Sequence, residues 1–335
     1  MVNEVTILSL ADRERWVAEH RDHGLPSQSW HYAWGLSASG VDPKLAVVRS
    51  KGARMLLPFF ERDWKGRIDV ATVVGLSGAS IIPSDAAPLQ LWHEFARAEG
   101  WVAGYIQLAV SIDLEGVAVP GDLVTSNTVF LLSVPESDVV LNSASRTIRR
   151  KIHAAEQMHV VLVDDPLTLA ARLGALYRLT VQRGGAAGIY DFSQETLDRW
   201  VRDPGSLALG AAVGDAIEAV YVFRFARDNA ESHLLGTTEH GRELASWLLW
   251  KGTARLHASG VRLLNLGGGV RPGDGIYRFK QRFNGLEKPL RAVRQIYDPA
   301  LYEALCHEAG ASTSTAYFPA YRERDQGALA PDRMP

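Results

Sequence analysis

Residues 207–225 read LALGAAVGDAIEAVYVFRF, and this stretch decides the fold. Leu207 to Val213 and Ala219 to Phe225 are strand-like runs. Gly214-Asp215 between them is a hairpin signal, because a tight turn needs residues that tolerate positive φ. Asp228-Asn229 makes a second turn and Ser232 to Leu235 a third strand. Leu244, Trp247, Leu248, Lys251 and Arg255 then recur at helical spacing, and Val261 to Leu266 returns to a strand. The same order occurs earlier. Leu45 to Arg49, Met55 to Phe60 and Val70 to Val74 are strand-like, with Lys51-Gly52 as a turn. Leu89, Trp92, Phe95 and Ala96 mark a helix, and Tyr105 to Val110 a closing strand. Strand, strand, strand, helix, strand is thus written twice, with little residue identity between the copies. The repeat predicts a duplicated α/β domain, a mixed sheet with helices packed on it.

Between the copies, Leu141, Ala144, Ile148, Ile152 and Ala155 step by three and four, which predicts one amphipathic helix over 138–158. Arg146, Arg149, Arg150 and His153 fall off its apolar stripe. A second helix is expected from Thr168 to Arg183, ended by Gly184-Gly185. The expected division is a first domain over 1–133, a second over 134–298, and a C-terminal helix with a disordered tail over 299–335. Pro299 to Ala309 is the helical part of that last segment, and disorder is expected from Arg322 onward.

The bulk numbers agree with two globular cores. The chain has 335 residues, too many for one ordinary core, and 47% of them are hydrophobic. Its net charge of −2 gives no global attraction to nucleic acid, so any such contact needs a local basic face. The one cysteine, Cys306, excludes an internal disulfide and a cysteine zinc site. Met1 to Leu10 reads as a strand, not a basic-then-apolar leader, and no apolar run has spanning length. These features predict a cytoplasmic protein with no membrane insertion.

The chemistry concentrates after the last strand of the second copy. Leu264-Asn265-Leu266 runs into Gly267-Gly268-Gly269, followed by Gly273-Asp274-Gly275 and the basic, aromatic Tyr277-Arg278-Phe279-Lys280-Gln281-Arg282-Phe283. Six glycines between Gly267 and Gly285, beside Arg271, Arg278, Lys280 and Arg282, point to a ligand-facing loop. It is not a dinucleotide fingerprint: the G-x-G-x-x-G spacing is missing, and Pro272 interrupts a helix start.

These residues resemble the ending of the Fem family of amide-forming transferases. The likeness rests on Leu266 to Gly269, Asp274-Gly275, Phe279-Lys280 and Phe283. Upstream, Ser145 to Ile152 with Ala155-Glu156 resembles the family's basic helix. Tyr177, Thr180, Arg183, Tyr190 and Phe192 resemble its next helix and loop. Gln28-Ser29-Trp30 and Leu57-Pro58-Phe59 are similar to its first-domain marks. The resemblance implies two GNAT-like domains, each a mixed, mostly antiparallel sheet flanked by helices. It also implies acyl transfer to an amine, with aminoacyl-tRNA as donor and a peptide or nucleotide-linked acceptor in cell-wall or antibiotic assembly. No resident cofactor or metal is implied. The coiled-coil arm of some members is missing, because Phe192 leads directly to the strand at Leu207.

Within that frame Lys280 is the expected catalytic group, a compact positive charge for the oxygen that turns negative as an ester is attacked. Backbone N–H groups near Gly267 are expected to assist. Gly268, Gly269, Asp274, Tyr277 and Phe279 are expected to line the substrate. Arg183, Tyr177 and Tyr190 are expected to hold a phosphate or carboxylate. Asp274, Tyr277 and His233 are the candidate bases. Arg146, Arg149, Arg150, Arg278 and Arg282 are expected to meet tRNA phosphates, with Phe279 and Phe283 as stacking surfaces for a base. The alternative donor, acyl-CoA, needs a pyrophosphate cradle before the central helix. That position reads Thr237-Thr238-Glu239-His240-Gly241-Arg242-Glu243, whose acids oppose a pyrophosphate. The first copy's Gly75-Leu76-Ser77-Gly78-Ala79-Ser80 has no basic Phe-Lys segment after it, which marks that domain as the scaffold or acceptor side.

Overall fold

Each predicted repeat folds as a sheet whose parallel pair encloses a helix. The computed structural model describes residues 3–184, 191–271 and 273–323. It divides into two compact units. Unit 1 holds residues up to Asn127 and those from Pro289 onward, and unit 2 runs from Thr128 to Lys288.

Unit 1 opens with β1 (Glu4–Leu8), α1 (Arg13–Arg21) and α2 (Trp30–Ser37). Strands β2 (Lys44–Ser50), β3 (Ala53–Trp64), β4 (Arg67–Thr72) and the short β5 (Ser80–Ile82) lead to α3 (Ala87–Ala98) and β6 (Ala103–Gln107). The strand β7 (Asp122–Ser133) starts in unit 1 and ends in unit 2.

Unit 2 continues with α4 (Ser137–Ser143), α5 (Arg146–Gln157), β8 (Val161–Val163), α6 (Pro166–Gly184) and α7 (Gln194–Val201). Then come β9 (Ser206–Val213), β10 (Ala216–Ala226), β11 (Asn229–Thr237), α8 (Ala245–Ala258), β12 (Leu263–Asn265) and α9 (Gly275–Gln281). The strand β13 (Leu286–Ile296) returns to unit 1, where α10 (Pro299–Ala309) follows.

The duplication is plain in the pairing. In unit 1 β2, β3 and β4 pair antiparallel in turn, and β4 pairs parallel with β6 across the crossover through α3. In unit 2 β9, β10 and β11 do the same, and β11 pairs parallel with β12 across α8. Each sheet gains an antiparallel neighbour from far along the chain: β13 on β6, and β7 on β12. Because those two strands carry the crossings, the units divide at 127/128 and 288/289, not at the expected 133/134 and 298/299.

Burial follows the sequence periodicity. Leu89, Trp92 and Ala96 of α3 pack on Phe59, Val70 and Ile106. In unit 2, Trp247, Leu248, Leu249 and Leu256 of α8 share a core with Leu209, Phe223 and Leu264, and Ile148, Ile152 and Ala155 of α5 join it. Gln28 ties down the glycine turn of the first copy: its amide donates to the carbonyls of Gly78 (2.8 Å) and Leu56 (3.3 Å).

Two expectations are corrected. The single helix over 138–158 is two helices. Ala144 takes an extended ψ of 153°, and Ser145 starts α5 afresh by accepting a hydrogen bond from the Ile148 N–H. Disorder does not begin at Arg322. Phe318, Ala320 and Tyr321 belong to a unit 1 core with Tyr302 and Leu305. Asp69, fully buried, accepts from Arg62 Nε (2.6 Å), Arg322 Nε (2.6 Å) and Tyr321 Oη (2.9 Å). Gly185 and Tyr190 lie outside the described residues, as does the expected tail from 324 onward.

Removing one member of such a buried cluster leaves uncompensated charge. Asp69→Ala is expected to cost about 3–5 kcal/mol, read as a lower urea midpoint, because two buried guanidinium groups lose their anion.

Candidate active site

The loop between β12 and α9 is built by one carboxylate. Asp274 is the N-cap of α9 and accepts from the Tyr277 N–H at 2.7 Å. The same side chain accepts from the N–H groups of Val270 (2.8 Å) and Arg271 (3.0 Å), so it folds the preceding turn back on the helix. Burial raises the pKa of Asp274, but the N–H groups of Tyr277, Arg271, Val270 and Ile276 outweigh it and hold the acid below its ordinary 3.8. This carboxylate is spent on the backbone. Its observed role is to shape the loop.

Two of the three glycines have a structural reason, one conformational and one steric. Gly267 sits at φ +70°, its N–H donating to Asn265 Oδ1 (2.8 Å) and its carbonyl accepting from Phe130 (3.2 Å). A Cβ on Gly269 would lie 2.4 Å from Asp274 Oδ1 and 2.9 Å from Tyr277 Cβ. The N–H groups of Gly267, Val270 and Arg271 already have acceptors within the loop.

Lys280 lies on the last turn of α9, and its ammonium donates to the Gly268 carbonyl at 2.6 Å. Burial lowers its pKa from 10.5 to about 8, against which the nearby Asp274 carboxylate raises it. An ammonium has three donors, and this contact uses one. The lysine is charged at neutral pH, partly dehydrated, and held in place by backbone.

Tyr277, one turn earlier on the same helix, packs edge-on against Phe130 (4.9 Å) and donates to Glu287 Oε1 at 2.9 Å. Glu287 was not evident from sequence, because the strand that carries it has no clean alternation. Phe279 is partly buried and Phe283 wholly so, their rings edge to face at 5.5 Å. Phe283 is core, which corrects its expected role as a stacking surface.

The residues expected around Arg183 are not at this loop's disposal. Arg183 donates from Nη2 to the carbonyl and hydroxyl of Thr237, both at 2.7 Å, so it ties the end of α6 to the end of β11. Tyr177 is buried and stacks on Phe192, which meets Trp200 edge-on. His233 lies against Trp200 at 4.5 Å, and burial together with Arg224 holds its pKa well below the ordinary value, so it is neutral.

The two basic segments meet. The Ser145 N–H donates to the Arg282 carbonyl (2.8 Å), and the Asn284 amide to the Ser143 carbonyl (3.3 Å), which joins the start of α5 to the end of α9. Arg149 is partly used, donating to the carbonyls of Asn142 and Ala144. Arg146, Arg150, Arg278 and Arg282 are exposed and enter no ion pair among the described residues. Arg146 opens a helix with no acid in its first turn, where a cation is unfavourable by about 0.3–1 kcal/mol. Helix stability does not account for it.

The position where a CoA cradle is expected folds as a different kind of turn. A short 3-10 turn, His240–Leu244, precedes α8, and the Gly241 N–H donates to Thr238 Oγ1 (2.9 Å). Glu239 pairs with Arg242 (2.7 Å) and Glu243 with Lys151 (2.8 Å). Among the described residues no helix is long and apolar enough to cross a membrane.

No protein-family model and no curated protein matches the chain. Solved structures do. A FemX crystal structure superposes with a TM-score of 0.65 at 13% identity, covering 90% of this chain and 99% of that one. L-PGS from Bacillus licheniformis gives 0.57 at 11%, covering 88% and 94%. The C-terminal domain of a putative lysylphosphatidylglycerol synthetase from Agrobacterium fabrum gives 0.55 at 12%, covering 89% and 96%. At such identities the likeness is one of fold: this chain shares the fold of these three structures.

Asp274→Ala removes the cap of α9 and is expected to cost about 0.5–2 kcal/mol at neutral pH. The folded pKa is the lower one, so the difference from wild type is full above 3.8 and disappears as pH falls through the folded value. Urea melts at neutral and strongly acid pH read both.

Proposed function

We propose that a chain with this fold transfers an aminoacyl group from aminoacyl-tRNA to the amine of a peptide precursor, forming one amide bond. The observation that carries the reading is the Lys280 ammonium, partly dehydrated and fixed on the Gly268 carbonyl in the unit that also presents the unpaired arginines. The FemX and L-PGS likenesses in fold support an acyl-transfer scaffold in general.

In the proposed reaction the acceptor amine attacks the ester carbonyl. The oxygen that becomes negative receives the free N–H groups of Lys280, whose charge is worth most where water is excluded. Arg146, Arg150, Arg278 and Arg282 hold the phosphates of the donor, and Phe279 lies beside them for its terminal base. Unit 1 serves as scaffold and acceptor side. Acyl-CoA is the weaker donor, because the acids and the occupied Gly241 N–H before α8 leave a pyrophosphate no seat.

The test is label transfer from a charging mixture of total tRNA and radiolabelled amino acids, with and without ribonuclease. Transfer abolished by ribonuclease is expected. Transfer that survives ribonuclease and needs CoA would overturn the reading. Lys280→Met is expected to lower kcat/KM by on the order of a hundredfold or more. The active form is the ammonium, so wild-type kcat/KM is expected to fall as pH rises through about 8, and the variant to lose that limb. Changing Arg146, Arg150, Arg278 and Arg282 together to Ala is expected to reduce the log–log salt slope of tRNA binding by about three.

A further inference from the structure

The attacking amine must lose a proton, and two of the candidate bases read from the sequence are not free to take it. Asp274 already accepts three backbone N–H groups, and His233 lies on β11 with its ring against Trp200. Between Arg271 and Leu290 the acids are Asp274 and Glu287, set among Arg271, Arg278, Lys280, Arg282 and Lys288. Glu287 is exposed, enters no ion pair among the described residues, and accepts from Tyr277 Oη with one oxygen. Its other oxygen accepts nothing among those residues. Lys288 points to the opposite side of the strand by alternation.

Tyr277 and Lys280 are three residues apart on α9 and share a face. They also grip the same loop: Tyr277 packs on Gly269, and Lys280 sits on the Gly268 carbonyl. From this arrangement we infer that the Glu287 carboxylate, oriented by Tyr277, seats the acceptor as an ammonium and takes its proton. The inference rests on the transferase reading above.

The proton balance is complete. An acceptor R–NH3+ gives one proton to Glu287. The neutral nitrogen attacks the ester carbon, and the C–N bond forms as the carbonyl oxygen turns negative beside Lys280. The C–O bond to the donor then breaks, and its oxygen takes the second proton from nitrogen. Glu287 releases its proton to water. The acceptor is thereby specified as a primary amine that is cationic at neutral pH, not a hydroxyl or thiol.

Glu287→Gln keeps an oxygen for Tyr277 Oη but loses the charge, so a purely structural strut would survive it. Full-length wild type and variant are assayed with labelled aminoacyl-tRNA and two small acceptors at pH 7: methylamine, which is cationic, and hydroxylamine, which is neutral. The variant is expected to lose on the order of a hundredfold in enzymatic methylamine acylation while hydroxylamine acylation stays unchanged. Tyr277→Phe, which keeps the ring on Phe130, is expected to lose selectively with methylamine too. Equal loss with both acceptors in Glu287→Gln, or loss with neither, overturns the assignment of Glu287 alone. A wild type that accelerates neither acceptor overturns the transferase reading, and this proposal with it.

Discussion

An ammonium group taken out of water needs an oxygen to face, and in this protein the oxygen is the Gly268 carbonyl. That contact, at 2.6 Å, constrains the rest of the loop. The carbonyl can point at α9 only if the chain turns sharply at Gly267 and packs without a side chain at Gly269. The turn is held by the Asp274 carboxylate, which gathers three N–H groups from both sides of the bend. The same carboxylate sits close enough to oppose the fall in the lysine's pKa. One acid thus shapes the loop and keeps its cation charged at neutral pH.

The sheet beneath the loop explains why it sits where it does. A parallel pair needs a crossover, and in both units the crossover is a helix, α3 or α8. Beyond the pair, each sheet is completed by a strand from a distant part of the chain. In unit 2 that strand is the end of β7, whose Phe130 lies against Tyr277. The loop after β12 therefore emerges beside a strand it does not neighbour in sequence.

The repeated elements were legible because their signals are local. Alternation and turn residues marked β9, β10 and β11, and three-four periodicity marked α3, α5 and α8. Lys280 stood out through its glycines and its family resemblance. What escaped depends on remote partners. Leu286 to Ile296 carries three basic residues and a proline, and becomes a strand because β6 offers it an edge. Phe279 and Phe283 look alike in sequence, yet only Phe283 is fully buried. Arg322 read as tail because its partner, Asp69, lies 253 residues away. The break at Ala144–Ser145 had a local signal, a serine three residues before Ile148, but the apolar stripe runs through it and masks it.

The proposed transfer turns on the state of one side chain. A carbon-13 NMR titration of labelled lysine Cε, with Lys280 assigned by its loss in Lys280→Met, reads that state directly. The account predicts a midpoint of about 8, set by burial against the Gly268 carbonyl. A midpoint at the ordinary 10.5 would mean a solvated lysine and would contradict it.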